Sequence, residues 1–216
     1  MKPRRRLAGA VAIAVLAAAV APAWAGAPTD QVRASVDRII GILQDPALKS
    51  SAKTKERRAA IREAADTIFD FRETARRALG RHWQSVGEQD REEFVPLFTD
   101  LLERSYTSKI EQYSGEKISY VGESVDPGGE AAMVKTIFTT KAGAAVPINY
   151  SLLRRGDRWL VYDVFVEGVS LVANYRSQFD RIIQTASYQE LVRRMKAGQA
   201  DVPAPGGASP KGKGRT

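Results

Sequence analysis

Chemistry would have to start from very few side chains. His82, beside Trp83, is the only histidine in 216 residues, and there is no cysteine. One imidazole without a thiol builds neither a His/Cys zinc cluster nor a nucleophile–histidine–acid arrangement. A surface histidine, or one satisfied in the core, is the ordinary reading. Asp163 and Glu167 lie four residues apart in a strand-like run, where alternation begins to place them on one face. Extended chain separates them by roughly 13 Å, too far for the direct cooperation of a glycosidase carboxylate pair. They are expected to pair with arginines such as Arg154 or Arg176, or to face water. No Gly-x-Ser-x-Gly elbow, P-loop or dinucleotide fingerprint occurs, and Gly128-Gly129 is too short to cradle a phosphate. The expectation is no catalytic residue, no metal, no cofactor and no enzyme.

Charge points away from nucleic acid despite a formal +8. Lys2, Arg4, Arg5 and Arg6 crowd one end, and Lys211, Lys213 and Arg215 the other, with Asp201 the sole acid outside Gly26–Ala200. The 26 basic and 24 acidic residues between leave a body of only +2. A phosphate-binding stripe needs a larger local surplus. The N-terminal cluster precedes an apolar run, Leu7 to Ala21, and then Ala23-Trp24-Ala25. Basic cluster, short apolar run and A-x-A pattern together read as a signal peptide over residues 1–25, cleaved near Ala25. About 15 apolar residues are short for a bilayer that needs roughly 20. An exported chain without cysteine must hold itself together by packing. From residue 201 the sequence is Pro, Gly, Ala and Lys with almost nothing to bury, and a disordered tail over 201–216 is expected. Residues 26–200 make a single domain.

Periodicity supplies the elements between. Val32, Val36, Ile39, Ile40 and Leu43 form a helical stripe ended by Asp45-Pro46; Ile61, Ala64, Ala65 and Ile68 form a second; Phe71, Ala75 and Leu79 a third, stopped by Gly80. The longest helix starts near Gly87, with Ser85 or Gly87 as cap, and buries Phe94 through Tyr113. Pro96 should kink it or mark a restart. After Gly115 the period becomes two: Lys117–Val125, Ala131–Lys141, Val146–Arg154 and Trp159–Val166 read as strands joined by short turns, hence an antiparallel meander. Helices follow from Ser170 and from Ser187. The class is α+β, several helices packed over a twisted four-stranded antiparallel sheet.

The corner where the last strand meets the next helix ties the two layers together. Leu160, Tyr162, Val164 and Val166 fall on one strand face; Trp159, Val161, Asp163, Phe165 and Glu167 on the other. Gly168 breaks the strand, Ser170 is a plausible N-cap, and Leu171, Tyr175, Phe179 and Ile182 recur at helical spacing. This run, Trp-x-Val-Tyr-Asp-Val-x-Val-Glu-Gly-Val-Ser-Leu-Val-x-Asn-Tyr-Arg-Ser-Gln-Phe, resembles the motif of the MlaC family. Phe69-Asp70-Phe71, Leu79-Gly80-Arg81-His82-Trp83, the Phe94–Tyr113 helix and Tyr113-Ser114-Gly115-Glu116-Lys117 add to the resemblance in order and spacing.

The resemblance implies a non-catalytic periplasmic phospholipid carrier, holding acyl chains in an apolar pocket between sheet and helices. It implies exchange with an inner-membrane ABC transporter bearing an MCE-domain ring and with an outer-membrane lipoprotein–porin complex, in the service of outer-membrane lipid asymmetry. Phospholipid is then cargo and not cofactor, nucleic acid is no partner, and a monomer is expected. Face and bulk, and not the family motif, suggest the lining: Phe98, Leu102, Tyr106, Ile148, Tyr150, Leu152, Tyr162, Val164, Leu171 and Tyr175. Arg176 is expected to pair with a strand carboxylate, with a lipid phosphate as the alternative. Two rivals are an enzyme using Asp163 or His82 deep in the pocket, and a solid-cored adaptor that binds only proteins.

Overall fold

The computed structural model describes residues 28–198. The signal peptide and the tail expected at the two ends lie outside the described residues. The elements are α1 (Pro28–Gln44), α2 (Thr54–Ile68), α3 (Phe71–Leu79), α4 (Glu88–Ile110), β1 (Lys117–Val125), β2 (Ala131–Thr139), β3 (Ala145–Arg155), β4 (Arg158–Val166), β5 (Val169–Ser170), α5 (Leu171–Thr185) and α6 (Tyr188–Lys196). No described helix is long and apolar enough to cross a membrane.

The sheet is an antiparallel meander in chain order, as expected, but it has five strands and not four. The fifth is made by Glu167 and Gly168, whose φ values of 52° and 82° are both positive. Two successive positive φ values are what a tight hairpin of matching twist requires. The chain therefore folds back, and Val169 and Ser170 pair with Val166 and Phe165 before α5 begins. Two residues of strand carry no readable periodicity.

A second departure lies inside β4. Leu152 pairs with Val161 and Ser151 with Asp163, so Tyr162 has no partner and forms a bulge. Because facing residues in a pair share a side of the sheet, the bulge reverses the alternation. Trp159 and Val161 thus join Val164 and Val166 on the face that also carries Ile148, Tyr150 and Leu152. The strict two-residue alternation divided these residues wrongly.

Two cores result. On one sheet face, Ala132, Val134, Leu152, Trp159 and Val161 are buried against Val32 of α1 and Ile68 of α2. α1 is anchored at both borders of that face. Thr29 N and Oγ1 donate to Glu123 of β1, and the Gln31 side chain accepts from Trp159 N at 2.8 Å. The other core is helical: Ala78, Leu79 and Trp83 meet Phe94, Phe98, Tyr175, Phe179 and Leu191. α3 and α5 reach the sheet at β4 and β5, whereas α4 has its close neighbours in α2, α3 and α6. The helices are thus not all gathered over the sheet; α3 to α6 form a bundle beside its β4 edge.

Caps explain most boundaries. Asp70 accepts from Glu73 N at 2.9 Å, Ser170 from Ala173 N at 2.9 Å and Ser187 from Glu190 N at 3.1 Å. At α4 the cap is Gly87; the Ser85 hydroxyl donates instead to His82 O. Pro96 marks no restart, since α4 runs unbroken through it.

Candidate functional site

The polar residues that sequence put forward for chemistry are occupied in holding structure. Asp163 is 8% exposed. Its Oδ2 accepts from Ser170 Oγ at 2.6 Å, and its Oδ1 from Val172 N at 3.1 Å. Ser170 in turn accepts from Ala173 N, so the carboxylate bears on two amides of the first turn of α5, Val172 directly and Ala173 through Ser170. Burial raises the Asp163 pKa above its ordinary value; the bonds from Ser170, Val172 and Val164, with the nearby Arg77 charge, oppose the rise. Glu167 is exposed in the hairpin turn. His82 Nε2 meets Asp180 Oδ1 at 2.7 Å, and Arg81 joins the same carboxylate. Among the described residues no group of three or more His, Asp or Glu could hold a metal ion. Arg176 does not pair with a strand carboxylate. Its aliphatic stem lies over Gly80, where a Cβ would stand 2.9 Å from Arg176 Cδ.

The ten lining residues divide by core. Phe98 and Tyr175 are fully buried in the helical one, edge to face at 5.1 Å and both packed on Phe179. Leu102 and Tyr106 are half-buried beside them. Leu152 is fully buried in the sheet core, with Tyr150 and Val164 partly buried against it. Ile148 continues the same face, and Leu171 is half-buried where α5 opens. Tyr162 is not brought to the others: at the bulge its ring lies 3.9 Å below the Arg77 guanidinium, and its carbonyl accepts from Thr74.

Register shows what face-by-face reading of single strands missed. Four rows of partners cross the α1-bearing face: Val125, Ala132, Leu152 and Val161; Glu123, Val134, Tyr150 and Val164; Tyr120, Thr136, Ile148 and Val166; Ile118, Phe138 and Val146. In the first two rows Ala132, Val134, Leu152 and Val161 are buried under α1 and α2. In the last two, only Thr136 is buried; the large apolar residues are half-covered. Along α1 the same gradient runs from buried Val32 to half-covered Ile39, Ile40 and Leu43. Ile118, Phe138, Val146 and Val166 were not among the lining candidates, and only counting pairs outward from each hairpin would have found them.

Each core has tyrosine hydroxyls that are poorly served, Tyr106 and Tyr175 in the helical one and Tyr120 beside the sheet. The Tyr106, Tyr120 and Tyr175 hydroxyls are buried without a hydrogen-bond partner. Tyr106 and Tyr175 lie close enough to influence each other's acidity, yet neither closes a bond of normal geometry. Desolvation raises all three, Tyr120 to about 12. Burial also raises Tyr150, although its side chain is only partly covered. Two surface depressions lie elsewhere: one of about 340 Å³ lined by Leu79, Arg81, Arg176, Ser177 and Asp180, another of about 610 Å³ between Ser51 and Arg62 with Glu103. Neither includes any of the ten candidates.

Comparison with known proteins finds likeness in sequence and in fold. The sequence model of the MlaC protein family matches residues 33–197. The intermembrane phospholipid transport system binding protein MlaC of Haemophilus influenzae is 21% identical over 165 residues, covering 75% of this chain and 77% of that protein. Among solved structures, the phospholipid-binding protein of Ralstonia solanacearum, determined in complex with a phospholipid, superposes with a TM-score of 0.71 at 21% identity. That likeness covers 82% of this chain and 99% of the other, and establishes a shared fold.

Proposed function

The chain belongs to the MlaC family, and from that premise we propose that it is a non-catalytic carrier that binds phospholipid by its acyl chains and moves it between membranes. The observation that carries the reading is the extent of the family match, which runs over nearly the whole described body. The half-covered apolar end of the sheet face supports it independently. Ile118, Phe138, Val146, Ile148 and Val166 lie side by side there without being buried, an apolar strip that a ligand can cover.

Acyl chains are the ligand such a surface fits. A diacyl lipid has roughly thirty methylenes, and each costs about 0.8 kcal/mol to expose. A bare lipid crossing water therefore meets a barrier on the order of 20 kcal/mol, which an apolar recess largely removes. No reactive side chain is needed, and Asp163 and His82 are engaged with structural partners. In this proposal Ile148, Tyr150 and Val164 of the sheet, Leu102 and Tyr106 of α4, and Leu171 of α5 touch the chains. Phe98, Leu152 and Tyr175 back them as the rigid wall. Tyr162, beneath Arg77, stands outside.

The proposed setting is the periplasm, with the signal peptide removed near Ala25 and the carrier working as a monomer. Its proposed partners are an inner-membrane MCE-type ABC transporter and an outer-membrane lipoprotein–porin complex, which together maintain outer-membrane lipid asymmetry. Native mass spectrometry of the exported protein, purified without detergent and followed by lipid extraction, tests the core claim. Stoichiometric phospholipid released on denaturation is the expected result. A homogeneous apo mass that also refuses added phospholipid would transfer the weight to a solid-cored adaptor.

A further inference from the structure

Among the described residues two carboxylates are buried, Glu73 and Asp163; Glu73 is ion-paired to Arg76 and Arg77, whereas lipid binding by itself has no use for Asp163. Asp163 lies at the junction of sheet and bundle, where burying an ionisable group is costly unless it is paired and hydrogen-bonded. Its two oxygens hold Ser170 Oγ and Val172 N, and through Ser170 they also order Ala173 N. All three partners lie in β5 and the first turn of α5, just past the hairpin turn at Glu167 and Gly168, both at positive φ. The same helix carries Leu171 and Tyr175. Removing the carboxylate would free the Val172 amide of α5 and the Ser170 hydroxyl that caps Ala173 N.

We propose that Asp163 is a positioning residue that latches α5 to the sheet, and that release of this latch sets the rate at which bound phospholipid leaves. The inference rests on the carrier reading. The groups around the carboxylate are few. Arg77 of α3 is the charge that faces it, itself bound by Glu73 at 2.7 Å. β3 places neutral Ser151 opposite, and β5 and α5 contribute Ser170 and the Val172 amide. Glu73 is held near 2 and stays ionised through the acidic range above that.

Opening the first turn of α5 away from the sheet, with Tyr175 and Phe179 kept in the helical core, returns Asp163 to water and to an ordinary acidity. In the latched state burial raises its pKa. A group that holds its proton more tightly when latched makes acid favour the latched state, so release slows as pH falls. One proton limits the change to about tenfold per pH unit.

The test follows transfer of a pyrene-labelled phosphatidylethanolamine from the loaded protein to phosphatidylcholine vesicles between pH 7.5 and 4.5. Wild type is expected to release more slowly as pH falls. Asp163→Asn, neutral but still able to accept from Val172 N, is expected to release slowly with a flat profile. Asp163→Ala, with no acceptor, is expected to release at least tenfold faster than wild type at pH 7.5, also flat. Any pH dependence from other groups survives in both variants and is subtracted. A wild-type profile in Asp163→Asn, or a wild-type rate in Asp163→Ala, overturns the proposal.

Ser170 gives a second reading should Asp163→Ala not fold. Ser170→Ala should accelerate release and Ser170→Thr, which keeps the hydroxyl, should restore it; equal rates for the two overturn the latch. If wild type holds no phospholipid, the carrier reading fails. The latch is then judged by hydrogen exchange at Val172 and Ala173 in the same variants. Faster exchange in Asp163→Ala sustains it as a conformational device, and unchanged exchange refutes it.

Discussion

At the scale of single residues, the sequence motif around Phe69-Asp70-Phe71 resolves into an ion network whose centre is Glu73. Only 7% exposed, Glu73 accepts from Arg76 Nε at 2.7 Å and Nη2 at 2.6 Å, and from Arg77 Nε at 2.7 Å. Arg155 of β3 reaches the same corner through Asp70 at 2.9 Å. The Arg76 bonds foremost, then those of Arg77, outweigh burial and draw the Glu73 pKa down to about 2. A carboxyl whose folded pKa lies below its unfolded value stabilises the fold above the unfolded pKa and loses that contribution as pH falls. The window here runs from about 4.5 down to about 2. We predict that Glu73→Gln lowers stability by about 2 kcal/mol at pH 7. That is less than the full cost of breaking a buried pair, because the arginines are partly exposed. Urea melts of both proteins should converge as pH drops from 5 toward 2.5; a gap constant with pH would make the loss one of packing and not of charge.

Among elements, α4 presents the clearest conflict between local rule and observed structure. Proline in a helix interior deletes one hydrogen bond and collides with the preceding turn, a cost near 3 kcal/mol. α4 nevertheless continues through Pro96, which is exposed and so contributes little packing in return. Pro96→Ala should therefore stabilise the protein by about 2 kcal/mol and raise Tm by several degrees. An unchanged melt would mean that α4 has already relaxed around the proline. Helix ends were legible in the sequence because Ser170, Ser187 and Gly80 act locally, through bonds or backbone freedom within a turn. The long strands were legible for a similar reason, since their alternation and turns lie within one short window. β5 and the Tyr162 bulge were not. A two-residue strand is defined only by what it pairs with, and a bulge changes no residue type while reversing every face beyond it.

For the molecule as a whole, the same distinction explains the candidate site. Sequence separated apolar from polar faces well enough to name residues from both cores, but burial is settled between elements. Phe98 and Tyr175, adjacent on no local pattern, close on each other at 5.1 Å, while Ile148 and Val166 stay half-covered. Two cores joined at β4 and α5 imply that stability and binding can be changed separately. Phe179 touches Phe94, Phe98 and Tyr175 and is fully buried. Phe179→Ala should cost about 3–5 kcal/mol, whatever the protein carries. Ile148→Glu places a charge on the open end of the sheet face, where water already reaches, so the apo protein should lose only about 1 kcal/mol. Once acyl chains cover that position the carboxylate must be desolvated with no partner, and lipid should be expelled. The expected pattern is an Ile148→Glu protein that melts near wild type yet carries no phospholipid in its native mass spectrum. A lipid-loaded Ile148→Glu protein would remove this end of the sheet from the binding surface and leave the bundle side, around Leu102 and Tyr106, to hold the chains.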